Sequence, residues 1–253
     1  MFMTTKINLI RQVSPKGSIF LSAWLVRKGI STKEQTDYVR SGWIERLSHG
    51  IYKFVGDTPT LYSSLASYCN QSNIKYHVGA SSALDIMGFS HYVAMGKPQC
   101  YIFSSHNHKL PKWFFNNEWD MTMHHFTSDI FGDIGIVKRN IGDFSLPISS
   151  PERAFMECLH LAPEYFSLMD IYYVMEMLNT LRPHLVDKLL HNCTSVKVKR
   201  LFLYMAEKAN HQWYSDLHLN GVDFGSGPRS FANGGVMNAK YKIVIPKELA
   251  TYE

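Results

Sequence analysis

The sequence predicts an α+β protein: an N-terminal winged helix-turn-helix, then a mixed α/β C-terminal region with a small sheet and a helical bundle. Three observations carry this. A short, explicitly capped helix at residues 31–41 runs straight into a hairpin, WIERL and IYKFV around Ser48-His49-Gly50. Strand-like runs bounded by Pro, Asn, Asp and Gly occupy residues 98–141. A succession of strong helix patterns fills residues 150–213. A chain of 253 residues accommodates two or three domains. The boundaries fall at 1–56 (winged head), 57–149 (small mixed α/β part) and 150–253 (helical part with a terminal strand pair).

In order, TTKINLIRQV predicts a first helix with Ile7 and Ile10 on its apolar stripe, and SPKG a turn. LSAWLVRKG predicts a second helix, with Leu21, Trp24 and Leu25 spaced i, i+3, i+4. The third helix starts at Ser31, an N-cap whose reciprocal partner Glu34 lies three residues on. Gly29 breaks the chain before it and Gly42 ends it. Tyr38 and Val39 are expected inward, which leaves Thr32, Lys33, Gln35, Thr36 and Arg40 outward with donors for phosphates and base edges. Gly50 supplies the φ > 0 a tight wing turn requires, with Arg46 and His49 beside it. Beyond the polar break Asp57-Thr58-Pro59, TLYSSLASYCNQS is a helix that packs back on the head. HVGAS is a strand end leading into the helix SSALDIMG; Gly79 there is a plain strand-to-helix turn, since no GxxxxGK[ST] phosphate loop is present. PQCYIFSS, WDMTMHHF and IGIVKRNI are strands, with the aromatic-rich HKLPKWFFNNEW as a loop between the first two. Ser150-Pro151-Glu152 opens the helix SSPERAFMECLHLAP in cap, N1 and first-turn order. LMDIYYVMEMLNTLR, PHLVDKLLHNC and VKVKRLFLYMAEKANHQW are further helices, and GPRSFANGG with AKYKIVIP is a closing strand pair bent at Gly234-Gly235.

Composition describes an ordinary folded protein, 45% hydrophobic and 19% charged, which excludes a disordered chain. The net charge is +5, and its placement matters more than its size. Residues 1–56 carry nine Lys/Arg against three acids, a net +6; the rest carries 17 against 18, a net −1. All the surplus positive charge therefore lies in the head, where DNA would bind. Cys69, Cys100, Cys158 and Cys193 form no CxxC pair and are expected as free buried thiols. No secretory leader and no apolar run of membrane-spanning length is present, so a cytoplasmic protein without membrane contact is expected.

Little in the sequence suggests chemistry. His106-x-His108, His124-His125 and Cys100 do not form the two short-spaced ligand pairs typical of zinc, so neither a metal nor a cofactor is expected. There is no GxSxG elbow. Asp120, Asp133 and Lys138 come nearest to a nuclease set, but the acid-x-Lys element is missing, so no enzyme is expected. The cluster Lys197, Lys199, Arg200 opens an otherwise apolar helix and is expected on its solvated edge, available to nucleic acid or an acidic partner.

The chain resembles the AbiEi family, antitoxins of type IV toxin–antitoxin systems that also act as transcriptional repressors. The strings that carry the resemblance are SGWIERLSHGIYKF, HVGASSALDIMGFSHY, SSPERAFMECL, LRPHLVDKLLHNC, SVKVKRLFLYMAEKANHQWY and FGSGPRSFANGGVMNAKYKIVIPKEL. It implies a head that binds double-stranded DNA at inverted repeats in its own promoter, and a C-terminal region that opposes a nucleotidyltransferase-like toxin. Direct neutralisation, with the C-terminal two-thirds binding the toxin or its RNA substrate, is the alternative. The implied DNA-contacting set is Lys16, Thr32, Lys33, Gln35, Thr36, Arg40, Arg46, His49 and Lys53. The implied partner-facing set is Lys197, Lys199, Arg200, Arg229, Lys240 and Tyr241. The wing tip departs from the family in carrying Ser48-His49, and Pro228 stands where a basic residue before Arg229 is expected.

Overall fold

The structure, a computed structural model, describes residues 6–72, 74–89 and 96–252. The predicted start of the first helix at residues 4–5, and residues 90–92 of the string ending GFSHY, lie outside the described residues.

The head is a winged helix-turn-helix. Its elements are α1 (Lys6–Val13), β1 (Ile19–Leu21), α2 (Ser22–Arg27), α3 (Thr32–Arg40), β2 (Ile44–Ser48) and β3 (Ile51–Phe54). The three strands form an antiparallel sheet in the order β1-β3-β2. Strand β1 corrects the sequence reading, which began the second helix near Leu21. Three residues are too few to show a period of two, and pairing with β3 decides their conformation. Because side chains alternate along a strand, Phe20, Tyr52 and Phe54 face the head's own core with Ile7, Ile10, Leu25 and Ile30. Ile19 and Ile51 face the other way, into the main core. The head sheet is thus packed on both faces.

The element on that second face is α4 (Leu61–Ser72). It is rich in Ser and Ala, and these small side chains let it lie between β1 and the central sheet. Gln71 on α4 treats β1 as a neighbouring strand would. Its Oε1 accepts from Leu21 N (2.8 Å) and its Nε2 donates to Ile19 O (2.6 Å). The outer edge of β1 is therefore closed by a side-chain amide.

The central sheet holds β4 (Tyr76–Val78), β5 (Gln99–Ser104), β6 (Thr122–Thr127), β7 (Ile136–Ile141) and β8 (Phe144–Ser149) in the order β6-β5-β4-β8-β7. The pairs β5·β6 and β4·β8 are parallel; β4·β5 and β7·β8 are antiparallel. Strand β8 was not read from sequence because it contains Pro147, which argues against an inner strand. It is accommodated because β8 bridges β4 only at Val78↔Ile148, one residue past the proline. The aromatic loop contains a short helix, α6 (Lys112–Asn116), which buries Trp113 and Phe114.

Between β4 and β5 lies α5 (Ala80–Ile86). The helical layer follows as α7 (Pro151–Leu161), α8 (Leu168–Met177), α9 (Pro183–Asn192) and α10 (Val196–Lys208), then a 3-10 turn at Gln212–Asp216. Ser150 caps α7 and Ser195 caps α10, as their sequences indicate. The chain closes with β9 (Arg229–Ser230), β10 (Val236–Asn238), β11 (Ile243–Ile245) and α11 (Lys247–Thr251). The predicted closing pair β9·β11 exists, but it is parallel, and β10 forms the antiparallel partner on the other side of β11. One buried apolar cluster joins the central sheet to α7–α10 and continues across residue 150.

A buried ionic cluster fastens α7 to the sheet. The Glu157 carboxylate accepts from His77 Nε2 (2.9 Å), Arg153 Nε (2.7 Å), Ser149 Oγ (2.7 Å) and Ala80 N (3.0 Å). Burial pushes this carboxyl up, but His77 and Arg153 outweigh it and hold the group well below the usual range. Gly79 makes room for it: a Cβ there would lie 2.2 Å from Glu157 Oε2 and 2.6 Å from the Phe103 ring. The N-terminus of α5 is thus occupied by the protein's own carboxylate, in keeping with a plain strand-to-helix turn.

Candidate nucleic-acid interface

Helix α3 starts on a complete capping box. Ser31 Oγ accepts from Glu34 N (3.3 Å) while Glu34 Oε2 accepts from Ser31 N (2.7 Å). Lys6 of α1 donates to Glu34 Oε1 at 2.8 Å, a contact absent from the sequence signature. That hydrogen bond, then those from Ser31, bring the Glu34 carboxyl down to about 2.

Gln35 corrects the expected set of outward residues. It is 1% exposed, with Nε2 donating to Ile30 O (3.1 Å) and Ser22 O (3.3 Å) and Oε1 accepting from Ser22 Oγ (2.7 Å). It sets the packing of α2 on α3 and cannot reach DNA from there. Gln35→Ala is expected to lower unfolding free energy by about 1–3 kcal/mol in chemical denaturation, since Ile30 O and Ser22 O lose their donor. A change within about 0.5 kcal/mol, as for a surface residue, would contradict this role.

The opposite face of α3 is open. Lys33, Thr36, Asp37 and Arg40 are exposed at spacing i, i+3, i+4, i+7, with Thr32 exposed at the helix start. Thr36 Oγ1 donates to Thr32 O at 3.1 Å and keeps its lone pairs outward. Arg40 lies 3.8 Å from Asp37, both well exposed, a weak pair that a phosphate can displace.

In the wing, the hairpin register shifts between Arg46 and Ser48, and Gly50 takes φ 71°. Arg46 is exposed, its guanidinium 5.7 Å from the Tyr52 ring centre, and His49 is exposed at the tip. Lys53 is the second correction. It sits at the end of β3 away from the turn, opposite Glu45, and donates to Glu45 Oε1 (3.0 Å) and Asp57 O (2.7 Å). Of the nine head cations, Lys6, Arg11, Arg27, Lys28 and Lys53 are engaged in the head's own packing or its junction with α4. Lys16, Lys33, Arg40 and Arg46 remain directed outward with at most a weak partner. Total charge could be counted from sequence; which cations were already committed could not.

The far end of the chain corrects more. The cluster opening α10 is not a solvated edge, because α10 is packed by α7, α8 and the terminal loops. Lys197 donates to the C-terminal carbonyls of α7, His160 O (2.5 Å) and Ala162 O (2.7 Å). Lys199 is 4% exposed and Arg200 2%. Arg200 binds four carbonyls: Nε to Phe224 O (2.8 Å), Nη1 to Gly227 O (2.6 Å) and Lys242 O (3.1 Å), and Nη2 to Gly225 O (2.9 Å). Tyr241 is largely buried, its hydroxyl donating to Glu207 Oε2 (2.8 Å) and meeting Tyr214 Oη (2.7 Å). Lys240 pairs with Glu207 and is exposed; Arg229 is exposed on β9. Of the six partner-facing residues named from the sequence, only Arg229 and Lys240 present a charge to solvent.

Elsewhere, Asp120 Oδ1 accepts from Leu61 N at the start of α4, Asp133 pairs with Lys75 at 2.6 Å, and Lys138 is exposed on β7. His124 bonds Gln99 and His125 bonds Ser104. Among the described residues no three His, Cys, Asp or Glu side chains are placed to hold one metal ion. All four cysteines are free. No helix of the described residues is long and apolar enough to cross a membrane.

A winged helix-turn-helix whose third helix presents Lys33 and Arg40 outward, docked on a mixed α/β body, defines the class of transcriptional regulators built on this head. Within that class the chain belongs to the AbiEi antitoxin family of type IV toxin–antitoxin systems. Residues 3–95 match the model of the AbiEi antitoxin N-terminal domain, a transcriptional regulator, and residues 97–246 match that of the AbiEi antitoxin and transcriptional regulator of type IV systems. The family is regulatory and not one of known enzymes. The fold is similar to that of the RV2827C protein from Mycobacterium tuberculosis, with a TM-score of 0.65 at 13% identity over 94% of this chain and 89% of that one. No curated protein matches the chain.

Proposed function

We propose that this chain represses its own promoter through α3 and the wing, and opposes a nucleotidyltransferase-like toxin through its C-terminal region. The observation that carries the DNA half is the exposed row Lys33–Thr36–Arg40 on a helix whose opposite face is pinned by Gln35. Arg46 and His49 are exposed in the wing, and Lys16 is exposed in the turn before β1. Double-stranded DNA with inverted repeats upstream of its own gene is the fitting ligand. The division of labour follows the proposed boundaries: residues 1–56 contact DNA, while 57–149 and 150–253, which share a core, act together as the body.

Fluorescence anisotropy on that upstream DNA tests the reading. Affinity is expected to exceed that for scrambled sequence at moderate salt, and to fall by about 0.9 log units per log unit of salt for each phosphate neutralised. Equal affinity for both DNAs would reject it. Arg40→Ala is expected to cost about 1–3 kcal/mol of binding and to relax specificity if Arg40 reads a base. Equal loss on both DNAs would assign Arg40 to a phosphate.

A second reading for the body, direct contact with the toxin, is favoured by one observation. The outer edges of β9 and β10 are unpaired among the described strands; Val236 and Met237 on β10 are 41% and 50% exposed, and Arg229 on β9 and Lys240 after β10 are exposed too. Co-purification of the two proteins separates direct contact from indirect neutralisation.

A further inference from the structure

We propose that the cavity between α10, the Gln212–Asp216 turn and the β10–β11 connection binds one nucleotide unit, its base inside and its phosphate at Lys240 and Lys242. No residue of the winged head lines this cavity. It shares Lys240 and Tyr241 with the proposed toxin-opposing region. Because binding is read directly, it can fail while toxin opposition stands, and the reverse.

The cavity holds about 270 Å³. That is just below the usual small-molecule range of about 300–1,000 Å³ and suits one planar ring with part of its sugar. Leu203, Leu219, Phe224 and Tyr214 give it an apolar and aromatic wall of the kind on which bases stack. Along one side the Tyr214 hydroxyl donates to Tyr241 Oη, which donates to Glu207, and the phenolic oxygens keep lone pairs that can accept from a base edge.

The charge around it is positive. Arg200 lines the cavity and is held by carbonyls alone, with no carboxylate among the described residues in ion-pairing reach. Lys240 stands at the rim and is balanced by Glu207. Lys242 also lines the cavity and has no acidic partner among the described residues; its Nζ makes only a 3.3 Å contact with Ser226 O.

Lys242 supplies a second, independent observation. Its φ is +52°, a conformation that suits glycine and strains a lysine. Its carbonyl serves Arg200 and accepts from Arg229 N (3.0 Å), and a glycine could provide that carbonyl equally well. The side chain at this strained position is therefore explained by what it offers the rim, a free ammonium group. An acidic peptide would meet the lysines but leave the ring-sized apolar space unfilled. A nucleotide uses both.

The phosphate and base can come from a free nucleotide or from single-stranded RNA, and the test separates these sources. The full chain carrying Arg40→Ala, to weaken the head's contribution, is titrated calorimetrically with AMP, CMP, GMP and UMP and with a short mixed-sequence RNA. The titrations are repeated with Lys242→Gly and with Lys240→Ala. At least one ligand is expected to bind with Kd below about 1 mM. Each lysine variant should weaken it about fivefold, and Lys242→Gly should melt at or above the parent's Tm. Binding of mononucleotides assigns the free nucleotide; binding of RNA alone assigns a strand. No binding by either, unchanged affinity in both variants, or a lowered Tm for Lys242→Gly with Lys240→Ala unaffected would overturn the proposal. An Asp/Glu-rich peptide that binds where nucleotides do not would overturn it in favour of a protein partner.

Discussion

Arg200→Ala is expected to lower unfolding free energy by about 4 kcal/mol and the melting temperature by about 10 °C. The guanidinium is 2% exposed and is the common donor to four backbone carbonyls, three on the 224–227 loop and one at Lys242. Truncation leaves those carbonyls without their charged donor, and the loop loses the group that closes it onto α10. Hydrogen bonds to a charged donor contribute about 1.5–3 kcal/mol each, so four support a large effect even with partial relaxation. Arg200→Lys is expected to recover only part of the loss, because an ammonium cannot present donors in the planar fork that reaches all four carbonyls. Thermal denaturation of the three proteins checks this. A Tm within 2 °C of the parent for Arg200→Ala would mean that water replaces the guanidinium.

Glu157→Ala is expected to have an effect of similar size, about 3–5 kcal/mol. It removes the acceptor shared by His77, Arg153, Ser149 and the first amide of α5, and leaves the buried Arg153 without its carboxylate. Arg153 keeps only the carbonyls of Gly132 and Ile134. Glu157 also predicts a pH dependence. Its native carboxyl titrates below the ordinary value of 4.5, so the unfolded chain takes up the proton first on acidification. The stabilisation is complete above about pH 4.5 and is lost as pH falls toward the lowered native value. Glu157→Gln abolishes this contribution to the slope while retaining the side chain's size. Equal acid sensitivity in parent and Gln variant, by urea denaturation at several pH values, would place the acid transition elsewhere.

Several elements were legible because their causes are local. The Ser31/Glu34 box, the Ser150-Pro151-Glu152 start of α7 and Ser195 ahead of α10 are short patterns whose hydrogen bonds close within three residues, and each appears in the structure. The open face of α3 was legible for the same reason, apart from Gln35. A glutamine in an amphipathic helix reads as polar and therefore exposed. Here the carbonyls of Ser22 and Ile30 converge on it from α2 and the turn, so it is buried. Strand β1 was missed because it is three residues long and depends on a partner distant in sequence; β8 was missed because it contains Pro147, although its main partner is the neighbouring β7.

By itself, the sequence determined the winged head, the order of the longer helices, the concentration of positive charge in residues 1–56 and, through its strings, the family. Tertiary structure alone decided which cations face outward. Lys53, Lys197 and Arg200 have the same sequence signature as Lys33 and Arg40, yet they are consumed by acids and carbonyls that folding brings to them, and Lys199 is buried. The physical reason is that a charge is encoded in one residue. The groups that bury or neutralise it come from loops and helix ends 24–42 positions away, as at Arg200, and exist as a site only once the chain has closed.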